Sequence, residues 1–202
     1  MKITKITQQK RVSRINVFID DKFAFGISKK TMVDFGLSKG KVLSEKEIGK
    51  ILEKDQLTKA LEKSFRLLGI RPRSQKELEK KLKEKEFAPE IIKKVIARIK
   101  ELGYLDDKKF AQAWLEARKL SHKGKYVVRR ELKQKGVTED IIKKTISHYT
   151  PKDEYKIALE LAKKKTKSYK NLDKFKKRQK MATFLANRGF SWQVIKDVIA
   201  KI

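Results

Sequence analysis

The segment 82–96, LKEKEFAPEIIKKVI, recurs as LKQKGVTEDIIKKTI at 132–146 and as LANRGFSWQVIKDVI at 185–199. A spacing of five, four and four recurs in all three copies and is filled by apolar residues except at Thr145, and the residues between these positions are mostly charged or small. Such self-similarity is typical of a repeated supersecondary unit, and stacked units present an extended binding surface. The sequence therefore predicts a mainly α protein of three tandem three-helix repeats in an extended, curved row.

Helix start and stop signals divide the first copy into three helices. A helix is predicted over 57–68, and the Ser74-x-x-Glu77 capping box opens the next one. Pro89 suits the first position of the last helix, because a residue there has no intrahelical partner for its N–H. The later copies follow the same plan, and the predicted repeats cover residues 57–107, 108–152 and 153–202.

The turn between the second and third helices recurs in every copy. Gly136 and Gly189 end the second helices of their copies, at a position that favours a left-handed backbone. Glu86 stands there in the first copy, so that turn is predicted to be built differently. Thr138 and Ser191 come two residues after the glycines and are predicted to cap the third helices.

Residues 1–56 are predicted to form a small β-hairpin followed by a short helix. Apolar residues alternate over 15–19, and the acidic pair at 20–21 then turns the chain into a second strand. A helix begins at Ser44, whose hydroxyl forms a capping box with the carboxylate of Glu47.

Positive charge dominates the composition. Lys and Arg number 54 against 25 Asp and Glu, a net charge of +29, and the mean hydropathy is −0.64. A solvated, lysine-rich surface is one interpretation of this excess. The alternative is a polyanionic partner, either a nucleic acid or a nucleoprotein, because such a partner would neutralise the repulsion among so many positive charges.

Several other classes of protein find no support in the sequence. The chain has no cysteine, which excludes disulfides and thiolate chemistry. No apolar run reaches membrane-spanning length, and the N-terminus lacks the apolar core of a secretion signal. We therefore expect a cytoplasmic protein that has no membrane partner.

Signatures of catalysis and metal binding are also weak. His122 and His148 are isolated, which disfavours a zinc site or a histidine-based triad. A near-match to a phosphate-binding loop over 36–42 has too few residues between its glycines and no Ser or Thr after its lysine. The acidic pairs at 20–21 and 106–107 are interpreted as a turn and a helix cap. The prediction is a protein that is not an enzyme and uses no cofactor or metal.

Basic residues are the better functional candidates, and one group lies on the second helix of the second repeat. Lys125, Arg129 and Lys133 are spaced at i, i+4 and i+8 and are predicted to line one helix face. Arg130 widens this face and Lys123 extends it into the preceding loop. A merely solvated helix face is the competing interpretation.

A second basic group lies within 163–180, where ten basic residues accompany one acidic residue. The candidates for binding a partner or nucleic acid are Lys163, Lys164, Lys165, Lys167, Lys170, Lys177 and Arg178. Tyr169 and Phe175 lie in the same run, where they either stack on an exposed base or pack in the core. Phe175 is interpreted as a core residue and Tyr169 stays open, while Trp114 and Trp192 are interpreted as packing residues.

Several motifs in order resemble the signatures of one family. They are Arg71-x-Arg73-Ser74-x-x-Glu77-Leu78, Leu102-Gly-Tyr-Leu-Asp-Asp107-x-x-Phe110-Ala111, Trp114, Gly124-x-x-x-Val128-x-x-Glu131-Leu132-x-x-Lys135-Gly136-Val137, and the N-terminal Asn16-Val-Phe-Ile-Asp-Asp-Lys-Phe-Ala-Phe-Gly-Ile27. Together they resemble the RecX family of recombination regulators over essentially the whole chain. Lys125 departs from the pattern, since members often carry proline there.

The resemblance implies a non-enzymatic modulator that binds the RecA recombinase, mainly as its filament on single-stranded DNA. Such a protein impedes filament growth and lowers ATP hydrolysis and strand exchange. It also implies weak, largely non-specific binding of single- and double-stranded DNA by a monomer. The residues leave one alternative open, a stand-alone DNA- or RNA-binding protein of tandem helix-turn-helix type. A nuclease would need a converging carboxylate cluster, which the sequence does not indicate.

Overall fold

The computed structural model describes residues 1–9, 14–170 and 172–202. Positions 10–13, in the predicted strand region, and 171, in the basic run, lie outside the described residues. Two compact units are formed, Met1–Arg71 with Glu79–Leu102 and Pro72–Leu78 with Gly103–Ile202. The elements described are β1 (Ile3–Gln8), β2 (Arg14–Ile19), β3 (Lys22–Ser28), α1 (Lys29–Asp34), α2 (Glu45–Ile70), α3 (Gln75–Lys83), α4 (Pro89–Glu101), α5 (Asp107–Leu120), α6 (Lys125–Gln134), α7 (Glu139–Ser147), α8 (Pro151–Thr166), α9 (Lys174–Asn187) and α10 (Trp192–Lys201), with a 3-10 turn at Lys167–Tyr169.

The first unit opens with an antiparallel sheet of order β1-β2-β3. The predicted hairpin is confirmed, and β1 adds a third strand to it. Asp20 and Asp21 join β2 to β3 with φ of +49° and +62°. Two left-handed residues in a two-residue loop match the right-handed twist of the strands, and Asp tolerates this conformation.

Helix α2 is longer than the sequence predicted. The short helix at Ser44 and the helix over 57–68 are parts of one 26-residue helix. The Ser44 capping box is confirmed, since Glu47 N donates to Ser44 Oγ at 3.3 Å and Ser44 N to Glu47 Oε2 at 2.8 Å. Near the middle of α2 the buried Asp55 accepts from Ser28 N at 2.7 Å and pairs with Lys59 at 2.6 Å. The midpoint of the helix is thus fixed to the end of β3 by a tertiary contact that sequence periodicity does not report.

The three predicted three-helix repeats are confirmed, as α2–α4, α5–α7 and α8–α10. In the second unit, Leu132 and Ile142 are buried in the core of the second repeat, and Leu185 and Ile195 are buried in the core of the third. The mainly helical fold class is therefore correct. The exact limits of the repeats along the chain stay predictions.

The turn before the third helix has one conformation in all three repeats. Gly136 and Gly189 have φ of +77° and +86°, and Glu86 adopts +60°. The expectation that the Glu86 turn differs is therefore wrong. Each turn closes with a backbone bond back to a buried leucine, such as Val137 N to Leu132 O at 3.1 Å. The equivalent bond in the first repeat, Phe87 N to Leu82 O at 3.4 Å, accompanies the left-handed conformation of Glu86, which costs a residue with a Cβ about 1–2 kcal/mol.

Besides Ser44, the predicted helix caps are confirmed at two further positions. Asp106 accepts from Lys108 N at 2.8 Å, and Glu77 N donates to Ser74 Oγ at 3.2 Å. Thr138 and Ser191 occupy N-cap positions, but neither side chain makes the predicted capping bond.

Candidate nucleic-acid and partner interface

Within the second unit, the start of the middle helix of one repeat packs on the turn of the next repeat. In the first of these joints, Ser74 Oγ donates to Lys135 O at 2.6 Å, and Gln75 N to Asp107 Oδ1 at 2.8 Å. A Cβ added at Gly136 would lie 2.1 Å from the Lys76 side chain, so glycine is needed for this close approach.

The second joint repeats this arrangement around α6. Gly124 N donates to Arg188 O at 2.9 Å, and Tyr126 N to Gly189 O at 3.0 Å. A Cβ at Gly124 would lie 2.2 Å from Gly189 O. Backbone contacts therefore fix the N-terminal end of α6 against the α9–α10 turn.

A buried carboxylate completes the second joint. Glu154 is fully buried and accepts from Ser191 N and Ser191 Oγ, each at 3.1 Å, and from Lys125 N at 3.3 Å. Lys125 Nζ lies 3.6 Å from the same carboxylate. Burying a charge is tolerated only with such partners. Ser191 Oγ makes no capping bond, and its hydroxyl donates to Glu154 instead.

Lys125 was predicted to lie on the exposed basic face, and the structure corrects this. Its side chain is half-buried and directed to Glu154. The face that α6 exposes includes Tyr126, Arg129, Arg130 and Lys133, spaced at i, i+3, i+4 and i+7. We call these four residues the α6 stripe.

Tyr126, whose side chain is 56% exposed, was not among the residues predicted from the sequence. The adjacent apolar residues Val127 and Val128, which are both buried, are the sequence feature that indicates the exposure of Tyr126. Val128 packs in the core of its own repeat, whereas Val127 packs on Gly189 of the next one. Because both valines are buried, the exposed face of the helix begins at Tyr126 and not at Lys125.

The cations of the α6 stripe differ in their partners. Arg129 forms an ion pair with Glu139 of α7, where both side chains are exposed. Arg130 and Lys133 are exposed and have no ion-pair or hydrogen-bond partner within residues 1–9, 14–170 and 172–202. Their charges are therefore available to an external ligand. Lys123 is separate from the stripe, half-buried in the α5–α6 connection.

Lys123 marks a second contact that fixes the start of α6. Its carbonyl oxygen accepts from the Tyr149 hydroxyl at 3.1 Å. Burial, with a smaller contribution from the nearby carboxylates of Glu154, Asp153 and Glu116, raises the pKa of Tyr149 well above its ordinary value. The hydroxyl therefore stays protonated and keeps donating.

The predicted group on α8 and the 3-10 turn is not one uniform patch. Lys163, Lys167 and Lys170 are exposed. Lys164 pairs with Glu160 at 2.7 Å, and Lys165 Nζ lies 5.3 Å from the ring centre of Tyr169 and 5.6 Å from that of Phe184. Tyr169 is half-buried against the core of the third repeat. Part of this charge is therefore already engaged within the repeat.

Lys177 and Arg178 lie on α9, separate in the chain from the lysines of α8 and the 3-10 turn. Together with Lys174 they border a cleft of ≈ 320 Å³ that is otherwise apolar. On α9, the positions equivalent to the α6 stripe are neutral, because aligning Leu185 with Leu132 places Gln179, Ala182, Thr183 and Ala186 there.

Two aromatic residues are more exposed than expected. Phe175 is 76% exposed and Trp192 is 61% exposed, so their interpretation as core and packing residues is wrong. Phe175 lies in the first turn of α9, ahead of the first buried residue Met181. Trp192 is the first residue of α10, and the buried face of that helix begins at Val194.

The packing role of Trp114 is confirmed. Its Nε1 donates to Glu131 Oε2 at 2.8 Å, and its ring stacks with Phe110 at 5.8 Å between centroids. Arg118 and Lys135 each lie 4.0 Å from the ring centroid. Two cation–π contacts hold this ring.

In the part of the chain that the structure covers, no group of three or more His, Asp or Glu residues is placed to hold a metal ion. Within the same residues, no helix combines the length and apolar character needed to cross a membrane.

Comparisons with known proteins cover nearly all of the chain. Four family models match, described as the regulatory protein RecX N-terminal domain over residues 1–44 and as the first, second and third RecX three-helix domains over residues 60–98, 106–146 and 152–199. Regulatory protein RecX of Leuconostoc mesenteroides is 36% identical over 202 residues, which are 100% of this chain and 76% of the relative. Regulatory protein RecX of Bacillus subtilis is 37% identical over 99% of this chain and 76% of its own length.

Two solved structures are similar. A crystal structure of regulatory protein RecX aligns with a TM-score of 0.74 at 32% identity, covering 97% of this chain and 98% of its own. A crystal structure of RecX from Lactobacillus salivarius aligns with a TM-score of 0.69 at 25% identity, covering 73% of this chain and 97% of its own.

Proposed function

This chain belongs to the RecX family of regulatory proteins, and on that premise we propose that it regulates the RecA recombinase. It binds the RecA filament on single-stranded DNA and reduces filament growth, ATP hydrolysis and strand exchange. It does so as a monomer in the cytoplasm, in recombination, DNA repair and the SOS response. It acts by binding, without catalysis and without a cofactor.

The α6 stripe is the observation that supports this proposal best. Arg130 and Lys133 are exposed cations whose charges no described residue neutralises. Arginine holds a phosphate or carboxylate through its planar fork, whereas lysine acts as a point charge. Tyr126 adds an exposed ring on which an unpaired base can stack. Phosphate contacts next to a stacking ring suit single-stranded DNA in a nucleoprotein filament.

The joint at Glu154 supports the same proposal through preorganisation. The start of α6 is fixed by hydrogen bonds from Gly124 N and Tyr126 N to the α9–α10 turn. The stripe therefore rests on a helix whose position is set before the ligand arrives, which lowers the entropic cost of binding. Inhibition follows by occlusion, because a bound regulator blocks subunit addition or the incoming duplex.

The exposed lysines at 163, 167 and 170 contribute in a different way. They stand on the end of α8 and the following 3-10 turn, where no carboxylate partner accompanies them in the described chain. Charges of this kind raise affinity for any polyanion without distinguishing its sequence. They account for the weak binding of single- and double-stranded DNA that we also propose.

The test is ATP hydrolysis by a cognate RecA on single-stranded DNA, with this protein added after filaments have formed. The variant Arg130→Ala/Lys133→Ala should need at least a tenfold higher concentration for half-maximal inhibition, because two phosphate or carboxylate contacts are removed. Lys80→Ala/Lys83→Ala is a matched control, since these exposed lysines hold the equivalent positions in the first repeat and carry the same charge. It should inhibit nearly as the unmodified protein does.

Excess single-stranded DNA separates the proposal from its alternative. Inhibition far below one copy per RecA subunit that spare DNA does not relieve supports a filament regulator. Inhibition that spare DNA abolishes would instead indicate a nucleic-acid-binding protein that competes for the lattice. Equal loss in both double variants would remove the α6 stripe from the mechanism.

A further inference from the structure

We propose that the cleft in the third repeat binds an acidic peptide segment that carries one aliphatic anchor side chain. The cleft lies between the start of α9 and the end of α10 and measures ≈ 320 Å³. Three cations border it, Lys174, Lys177 and Arg178. Apolar side chains complete its lining, among them Leu172, Met181 and Ile199.

The three cations are not neutralised within the repeat. None of them has an ion-pair partner among the residues that the structure covers. The adjacent carboxylate of Asp173 is already engaged, since it accepts from Lys176 N at 2.9 Å and lies 3.6 Å from Lys176 Nζ. Cations gathered at one concave site raise the local concentration of anions. The cleft therefore favours a ligand with several negative charges.

The apolar lining favours a peptide over a nucleic acid. Met181 is fully buried at the base of the cleft, and Leu172 and Ile199 are half-buried beside it. A sugar–phosphate chain would leave these groups uncovered, and the described lining holds no aromatic ring for a base to stack on. An aliphatic side chain between carboxylates covers the apolar surface and neutralises its border together.

The cleft and the α6 stripe thus differ in chemistry. The stripe is a convex helix face with cations and an exposed tyrosine, whereas the cleft is concave and aliphatic beneath its cations. A partner that covers the cleft is therefore a protein segment, and its binding does not depend on the RecA proposal.

The probe is a fluorescein-labelled peptide of about 12 residues, made of Asp and Glu with one central Leu. Its control has Ala in place of Leu. Fluorescence anisotropy at fixed salt should show that the Leu peptide binds about tenfold tighter, because its side chain fills the apolar part of the cleft. A labelled thymidine oligonucleotide of equal length measures nucleic-acid binding by the same protein.

Two kinds of variant locate the site. Leu172→Ser, and separately Ile199→Ser, should remove the preference for Leu over Ala while leaving oligonucleotide affinity unchanged. Lys174→Ala/Arg178→Ala should weaken both peptides at least tenfold. Lys163→Ala/Lys167→Ala removes equal charge from exposed positions in the same repeat, and it should keep the preference intact. Circular dichroism checks that each variant is folded.

Clear results would overturn the proposal. The unmodified protein binding the Leu and Ala peptides equally would show that the apolar lining plays no part. A preference that survives in both serine variants would place the anchor elsewhere. An oligonucleotide that binds more tightly than the Leu peptide and loses affinity in Lys174→Ala/Arg178→Ala alone would make the cleft a nucleic-acid site.

Discussion

Helices α6 and α9 occupy the same place in successive repeats but carry different surfaces. Val128 and Leu132 of α6 are buried, as are Met181 and Leu185 at the equivalent positions of α9. On the outer face, Tyr126, Arg129, Arg130 and Lys133 of α6 correspond to Gln179, Ala182, Thr183 and Ala186 of α9. The repeat thus preserves the buried positions and the turn, while the outer face is free to differ.

The charge of α9 lies instead at its N-terminal end. Lys174, Lys177 and Arg178 precede the part of the helix that corresponds to the stripe, and they border the apolar cleft. One repeat therefore has an exposed basic face, for which we propose phosphate contacts, and the next has an apolar cleft bordered by cations, for which we propose a peptide. Similar folds in one chain need not bind the same kind of ligand.

The joint at Glu154 fixes α6 against the α9–α10 turn, and loss of this carboxylate should have the largest effect. Glu154→Ala leaves Lys125 and Ser191 without their buried partner, so we expect the free energy of unfolding to fall by about 3–5 kcal/mol. Urea denaturation measures the change. Glu160→Ala removes an exposed carboxylate from the same helix and should leave the midpoint of urea denaturation unchanged. Equal midpoints for the two variants would contradict the importance of the joint.

A substitution at Gly124 tests the same joint through the backbone. Gly124→Ala places a methyl group against the Gly189 carbonyl and should destabilise the protein by about 1–3 kcal/mol. Gly49→Ala is the matched control, because Gly49 lies inside α2 with no atom within 4 Å of an added Cβ. That control should raise stability by about 0.5–1 kcal/mol. A stabilised Gly124→Ala would show that α6 does not pack closely on the turn.

Moving charge from the outer face of α6 to that of α9 tests whether the two positions are equivalent. Arg130→Ala/Lys133→Ala should reduce the slope of log affinity against log salt by about 1.4 on single-stranded DNA, at roughly 0.7 for each lost phosphate contact. Thr183→Arg/Ala186→Lys places the same charges at the equivalent, exposed positions of α9. If the positions are interchangeable, this graft restores the slope in the α6 variant. A graft that restores nothing would show that binding needs the location of α6 as well as its charge.

The smallest effect is expected in the turn, where the repeats agree. Glu86→Gly removes the left-handed strain of a residue with a Cβ, and the larger backbone entropy that glycine loses on folding offsets part of this gain. We expect a net gain of about 0.5–1 kcal/mol in thermal or urea unfolding. Gly136→Ala makes the reverse change where φ is +77° and should destabilise. A loss of stability in Glu86→Gly would mean that the glutamate side chain contributes more than its backbone strain costs.

Sequence reasoning succeeded where the determining interactions are local. The leucine-to-apolar spacing, the Asp106 cap and the turn at Gly136 are each set within a few residues, and all three are present. It failed at Lys125 because the partner, Glu154, lies 29 residues away in the next repeat. Periodicity identifies a buried face but does not show which neighbour covers it.

The aromatic residues show the same division. Trp114 was placed correctly because it lies one helical turn from Phe110, with which its ring stacks. Trp192 and Phe175 occupy first turns, where a residue can continue an apolar pattern without reaching the core. Their exposure depends on the angle at which each helix begins, and this angle is set by tertiary contacts.

The two tryptophans give the chain an internal optical reporter. Trp114 is flanked by Arg118 and Lys135, whereas Trp192 is 61% exposed. Acrylamide, a neutral quencher, should therefore quench the emission of Trp192 more strongly than that of the half-buried Trp114, which should emit at shorter wavelength. A ligand bound to the third repeat would change the fraction of the emission that is quenched. Loosening of the second repeat would shift the emission of Trp114 to longer wavelength. Binding and local unfolding can thus be followed separately, without a label, in a single titration.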